Sequence, residues 1–175
     1  HPNNTLKNIS FGANASSFGT YNNNEFQSNF KKIAPYIKTE FKPKNARRSP
    51  KKVLSTKLHL IQNQNTGEGF NLFENMIVSE TNFNIVSKQV LKPKSLNLNF
   101  EYGSVQNTTT SSFARTSITG KYRHNYDKKL NGIAFRAFFG TYLFNDTKDG
   151  RFRYYEGGDN GYSDATYSNI FLGRN

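Results

Sequence analysis

A chain of 175 residues with 34% hydrophobic residues, a mean hydropathy of −0.77 and a net charge of +12 has little apolar material for one generous interior. Its aromatic content of 15% comes from Phe and Tyr alone, and the lack of any Cys excludes a disulfide framework. No stretch of about 18 apolar residues exists, which excludes a transmembrane helix.

Residues up to about Gln27 are poor in aliphatic side chains and rich in Asn, Ser and Gly. They read as a linker or long loop within a polar segment 1–29, with Phe11, Phe18, Tyr21 and Phe26 as anchors. The chain starts at His1 without an initiator Met or a signal segment, so we read it as a processed chain or a piece of a longer one. From residue 30 to 175 the reading is one antiparallel β segment. Strands are expected over 30–41, 51–61 and 81–91. In the second of these, Leu54, Leu58 and Leu60 fall on one face and Lys57 and His59 on the other. A turn at 65–69 precedes a short apolar piece, 70–78, which periodicity does not assign to a class.

Between the first two strands the basic residues Lys42, Lys44, Arg47, Arg48, Lys51 and Lys52 surround Pro43 and Pro50. Pro removes donors and disfavours helix and central strand, so this is a flexible basic loop. It offers no aromatic ring on which a base could stack, and nucleic acid is not the expected partner. Its bland reading is a solvated turn; its functional reading is contact with phosphorylated lipid headgroups.

The strongest pattern runs from Lys94 to Phe144. Leu96, Leu98, Phe100 and Tyr102 alternate with Asn97, Asn99, Glu101 and Gly103. Ile133, Phe135, Ala137, Phe139, Thr141 and Leu143 alternate with Ala134, Arg136, Phe138, Gly140, Tyr142 and Phe144. Strands are expected over 95–103, 112–124 and 130–144, then over 151–155 and 166–172. A polar hairpin connection at 126–129 joins the two longest. Each strand then has one apolar and one wetter face. Strands of this kind in a hydrophilic chain fit an outer-membrane β-barrel whose apolar face meets lipid and whose lumen is wet. On this reading Leu98, Phe100, Tyr102, Ile133, Phe135, Phe139 and Leu143 face lipid, and Asn99, Glu101, Arg136 and Gly140 face the lumen. An Arg in lipid at the bilayer midplane costs about 2–4 kcal/mol, which sends Arg136 inward.

Chemistry is sparse. Three His without Cys give no local metal-ligand spacing, and neither a G-x-S-x-G elbow nor a phosphate-cradling Gly loop is present. Near the end, Asp146, Asp149, Glu156 and Asp159 are interleaved with Gly150, Gly157 and Gly158. This reads as an extracellular loop. Its ion-binding reading rests on the flexible oxygen ligands that hard cations take, although the spacing matches no EF-hand.

The run Lys129-Leu130-Asn131-Gly132-Ile133-Ala134-Phe135-Arg136-Ala137-Phe138-Phe139-Gly140 resembles a strand in the C-terminal barrel-like region of Gram-negative aminopeptidase-N-like (gluzincin) zinc metallopeptidases. Gly157-Gly158-Asp159-Asn160-Gly161-Tyr162-Ser163-Asp164 and Phe171-Leu172-Gly173-Arg174-Asn175 are similar to the same family. That family's H-E-x-x-H motif is absent: His59 stands in His-Leu-Ile-Gln-Asn and His124 in His-Asn-Tyr-Asp-Lys. The resemblance therefore implies the membrane part without the catalytic part. It implies location in the outer membrane of a Gram-negative cell, with outer-membrane lipid and the rest of the parent chain as partners. Zinc would belong to the parent protein, and no cofactor to this chain. The expected fold is all-β, an antiparallel meander forming part of an outer-membrane barrel. The expected function is anchoring or assisting a metallopeptidase; the alternative is a soluble β-sandwich serving as a surface adhesion or binding module.

Overall fold

The structure, a computed structural model, describes residues 5–22, 25–43, 45, 49–67, 70–87, 89, 92–106, 110–126 and 131–147. Seven strands follow one another: β1 (Leu6–Asn22), β2 (Glu25–Phe41), β3 (Lys51–Gly67), β4 (Phe70–Ser87), β5 (Lys94–Gln106), β6 (Thr110–Asn125) and β7 (Gly132–Asn145). Each pairs antiparallel with the next in a single sheet of order β1 to β7, so the fold is all-β and a meander. β1 and β7 do not pair, and the sheet is open among the described residues. Strands of 13 to 18 residues far exceed the usual length of about 5–6.

The two ends of the sheet differ. Asn22 to Glu25, Gly67 to Phe70 and Gln106 to Thr110 are tight connections at one end. Phe41 to Lys51, Ser87 to Lys94 and Asn125 to Gly132 are longer ones at the other. The last of these is drawn together by Tyr126 N–H donating to the Asn131 carbonyl at 3.0 Å.

Three expectations are corrected. The stretch expected as linker or long loop contains β1, which pairs with β2 from Leu6 to Asn22. Its Ser, Asn and Gly residues lower intrinsic strand preference, but the ladder to β2 and the outward Ile9 and Phe11 hold it extended. The pieces expected at 70–78 and 81–91 are one strand, β4, ending at Ser87. Its Ser79 and Glu80 hide the continuity, because each falls on the face opposite to the one its polarity suggests or is bonded across the sheet. Finally, the strict alternation expected in β7 fails near its end. A bulge between Ala114 and Arg115 of β6 places Phe144 opposite Ala114 and Tyr142 opposite Arg115. Phe144 thereby joins the apolar face, its ring edge-on to Tyr102 at 6.3 Å.

The two faces are unequal. One, called inner here, carries the buried cluster Phe30, Ile61, Met76, Val78, Val105 and Phe113, with Phe18 against it. Register places the cluster toward the tight-connection end. Phe18 stacks on Phe30 with centroids 4.6 Å apart. Phe113 lies across Gly103, its cross-strand partner: a Cβ there would sit 2.3 Å from Phe113 Cε1. Gly is required at that point by the ring above it. The outer face has no such cover.

Candidate functional site

On the outer face the register aligns side chains in rows across the sheet. Ile9, Thr39, Leu54, Phe83, Leu98, Ile118 and Phe139 form one row through all seven strands. Two rows toward the tight-connection end lie Leu58, Ser79, Tyr102, Ala114 and Phe144. One row further lie Ala15, Ile33, Leu60 and Ile77, paired in sequence across β1 to β4. Immediately beyond, the character changes. Ser17, Lys31, Gln62, Asn75, Gln106 and Thr110 form an unbroken polar row across six strands. Phe73 lies past it and is exposed. At the opposite border Lys52 stands beside Ile85, and Lys94 beside Tyr122.

The seven residues expected to face lipid all lie on this outer face and are between 37% and 65% exposed. Sequence reasoning missed their counterparts Ile9, Phe11, Ile33, Ile37 and Ile77, all exposed on the same face. The signal in those strands was diluted by Thr, Pro and Ser at intervening outer positions.

Beyond its apolar cluster, toward the long-connection end, the inner face is built from polar rows. Tyr36, Lys57, Glu80, Glu101, Arg115 and Tyr142 form the central one. Beside it run Lys38, Ser55, Asn82, Asn99, Ser117 and Gly140. Glu80 and Glu101 are directly opposed, a like-charge relation that is destabilising by itself. Each has its own partners. Arg115 donates to Glu101 Oε2 from Nε at 2.8 Å and from Nη2 at 2.6 Å, and Asn99 Nδ2 donates to Oε1 at 2.7 Å. The Arg115 guanidinium also lies 5.7 Å from the Phe113 ring centre. Glu80 accepts from Asn82 Nδ2 and meets His59 Nε2 at 3.3 Å. His59 is almost wholly buried.

Asn99, Glu101, Arg136 and Gly140, expected on the lumen side, share this inner face by register. Asn99 and Glu101 belong to the bonded network; Arg136 lies further toward the long-connection end, opposite Lys121. Sequence reading singled out Glu101 but not Arg115, because the pairing of residues 14 apart is a product of the β5–β6 register. Both carboxylates are engaged by donors, while His59 Nδ1 and Asn99 Oδ1 are buried without a hydrogen-bond partner. Among the described residues no group of three His, Cys, Asp or Glu side chains could hold a metal ion.

Of the basic loop, Lys42, Lys51 and Lys52 are described and exposed, and Lys51 bonds Glu40 at 3.1 Å. Glu40 is held from the other side by Lys7 at 2.8 Å. Lys44, Arg47 and Arg48 lie outside the described residues. So do Asp149, Glu156 and Asp159 and the strands expected at 151–155 and 166–172; Asp146 is described and exposed.

Comparison with protein-family models, with curated proteins and with solved structures gives no match for this chain.

Proposed function

We propose that the chain is a non-catalytic stretch of outer-membrane β-barrel wall that anchors or assists a larger protein. The observation that carries this reading is the bounded apolar band on the outer face. From Ile77 to Ile85, β4 advances about 26 Å at about 3.3 Å per residue. Strands tilted by about 35–45° would cover about 20 Å of membrane normal over that run, near the height of about 25 Å of a barrel's apolar belt. A soluble sheet gains nothing by leaving such a band uncovered and then ending it on a continuous polar row.

The band's borders also slant. Its lower limit lies at Ala15, Ile33, Leu60 and Ile77 in β1 to β4, then one row higher at Tyr102, Ala114 and Phe144 in β5 to β7. Its upper limit lies at Leu96 in β5, then rises to Tyr122 in β6 and Ile133 in β7. Strands crossing a horizontal slab obliquely must show such a drift in both borders. Polar side chains on the other face, ion-paired and hydrogen-bonded, suit a wet lumen.

An open seven-stranded sheet cannot stand alone in lipid, since unpaired strand edges have no water to satisfy them. Residues beyond the described ones, in this chain, in the rest of the parent chain or in another copy, are required to complete the wall. Anchoring of a zinc metallopeptidase, and placement in a Gram-negative outer membrane, rest on the resemblance of residues 129–140 and of the C-terminal residues to that family.

The test is fractionation of cells expressing the parent protein. Retention in outer-membrane pellets through alkaline and urea washes, with gel migration that changes on heating, is the expected result. Recovery as a soluble, cooperatively folding monomer in plain buffer would remove the membrane reading and leave the soluble sandwich.

A further inference from the structure

At the long-connection end of β5 to β7 the inner face carries charges of one sign. Lys121 on β6 lies directly opposite Arg136 on β7, with Ser95 opposite Lys121 on its other side. Opposed side chains stand about 5 Å apart at Cβ, and like charges in that relation are destabilising. Arg123, two residues along β6, shares the face and adds a third cation. Within the described β5, β6 and β7 there is one carboxylate, Glu101, and Arg115 engages it at 2.6 Å. About 20 Å of strand separates it from Ser95. The cations at Glu40 show the contrast: Lys7 and Lys51 converge there on an acid. Lys121 and Arg136 instead border an open space.

That space is a recess of about 670 Å³ whose lining includes Ser95, Lys121, Arg123, Ala134 and Arg136. Guanidinium groups present planar forks that match phosphate oxygens, and Lys adds a compact charge. Val86 and Pro93 also border it, so apolar surface adjoins the charged group. We infer that this recess, at the long-connection end of β5 to β7, binds a phosphate-bearing ligand that offsets the Lys121–Arg136 repulsion. The phosphate is either the headgroup of a phosphorylated lipid or part of a soluble phosphorylated compound. The inference stands apart from the membrane reading, because the soluble source needs no lipid.

The protein in neutral detergent at about physiological salt, where the Debye length is about 8 Å, is titrated with inorganic pyrophosphate by calorimetry. It is also floated with phosphatidylcholine vesicles with and without a diphosphorylated lipid. Arg136→Gln and Lys121→Gln are compared with Lys31→Gln, which removes a charge from the outer polar row at the other end. The expected result is saturable one-site binding, weakened about tenfold or more by each of the first two changes, as loss of a charge-assisted hydrogen bond dictates, and unchanged by the third. Removing one of two opposed like charges should not unfold the sheet, and unchanged circular dichroism verifies that. Variant-sensitive binding of pyrophosphate assigns a soluble compound or the bare phosphate as sufficient; variant-sensitive binding of the phosphorylated vesicles alone assigns the headgroup. Binding to neither, or equal loss in all three variants, overturns the site.

Discussion

The two faces of this sheet are made by the same strands, residue by alternate residue, yet they obey opposite rules. In the middle of the inner face, burial and polarity coincide: Arg115 and Asn99 are bonded to Glu101, and His59 to Glu80, all shielded from solvent. On the outer face, exposure and apolarity coincide, with Phe135 and Phe139 at 60% and 65%. In water the hydrophobic effect would cover the outer face too, as it buries the inner cluster of Phe30, Ile61, Met76, Val78, Val105 and Phe113. The contrast is consistent with a sheet whose outer neighbour is apolar and whose inner neighbour is wet.

The contrast can be broken where each face is most committed. Phe113 is the inner aromatic on which Gly103, the buried cluster and Arg115 all depend. Phe113→Ala should cost about 3–5 kcal/mol in urea unfolding of the reconstituted protein. A loss under about 1 kcal/mol would mean that the inner cluster does not hold the sheet. Arg115→Ala leaves Glu101 shielded without its cation and opposite Glu80, with an expected loss of about 3 kcal/mol. Adding Glu101→Gln to it should recover much of that loss, since the uncompensated charge is then gone; no recovery would show that Arg115 acts through packing alone.

On the outer face the expected effects depend on depth. Phe100→Arg, in the middle of the band, should cost about 2–4 kcal/mol in vesicles, whereas Ile133→Arg at the upper border should cost about 0–1 kcal/mol. Equal effects at the two positions would deny that the band follows a membrane. The smallest change sharpens the inner account. Gly103→Ala should cost about 1–3 kcal/mol by pushing against Phe113. In the Phe113→Ala background it should cost almost nothing, and an unchanged penalty there would place the strain in the backbone instead.

Much of this fold was legible in β5 and β7, where every second residue is aromatic or aliphatic over a long run and the period of two is unmistakable. It was much less so in β1, where Ser16, Ser17, Asn14 and Gly12 look like a linker and only pairing with β2 makes a strand. In β4 the polar Ser79 and Glu80 concealed continuity. Ser79 sits on the outer face between Leu58 and Tyr102, and Glu80 is satisfied by His59 and Asn82 on the inner one. Local pattern carries no information on register, so the Glu101–Arg115 pair and the Lys121–Arg136 opposition could not be read before the strands were aligned. The bulge that turns Phe144 outward is of the same kind: one extra residue in β7 relative to β6, invisible without its partner.

What covers the outer face decides between the membrane and the soluble reading. Single cysteines at Phe135 and Arg136, adjacent residues on opposite faces, are labelled in the membrane-embedded parent protein with a charged, water-soluble thiol reagent. Rapid labelling at Arg136→Cys with protection at Phe135→Cys, reversed by a lipid-soluble reagent, is the predicted result. Rapid labelling at Phe135→Cys with protection at Arg136→Cys would contradict it.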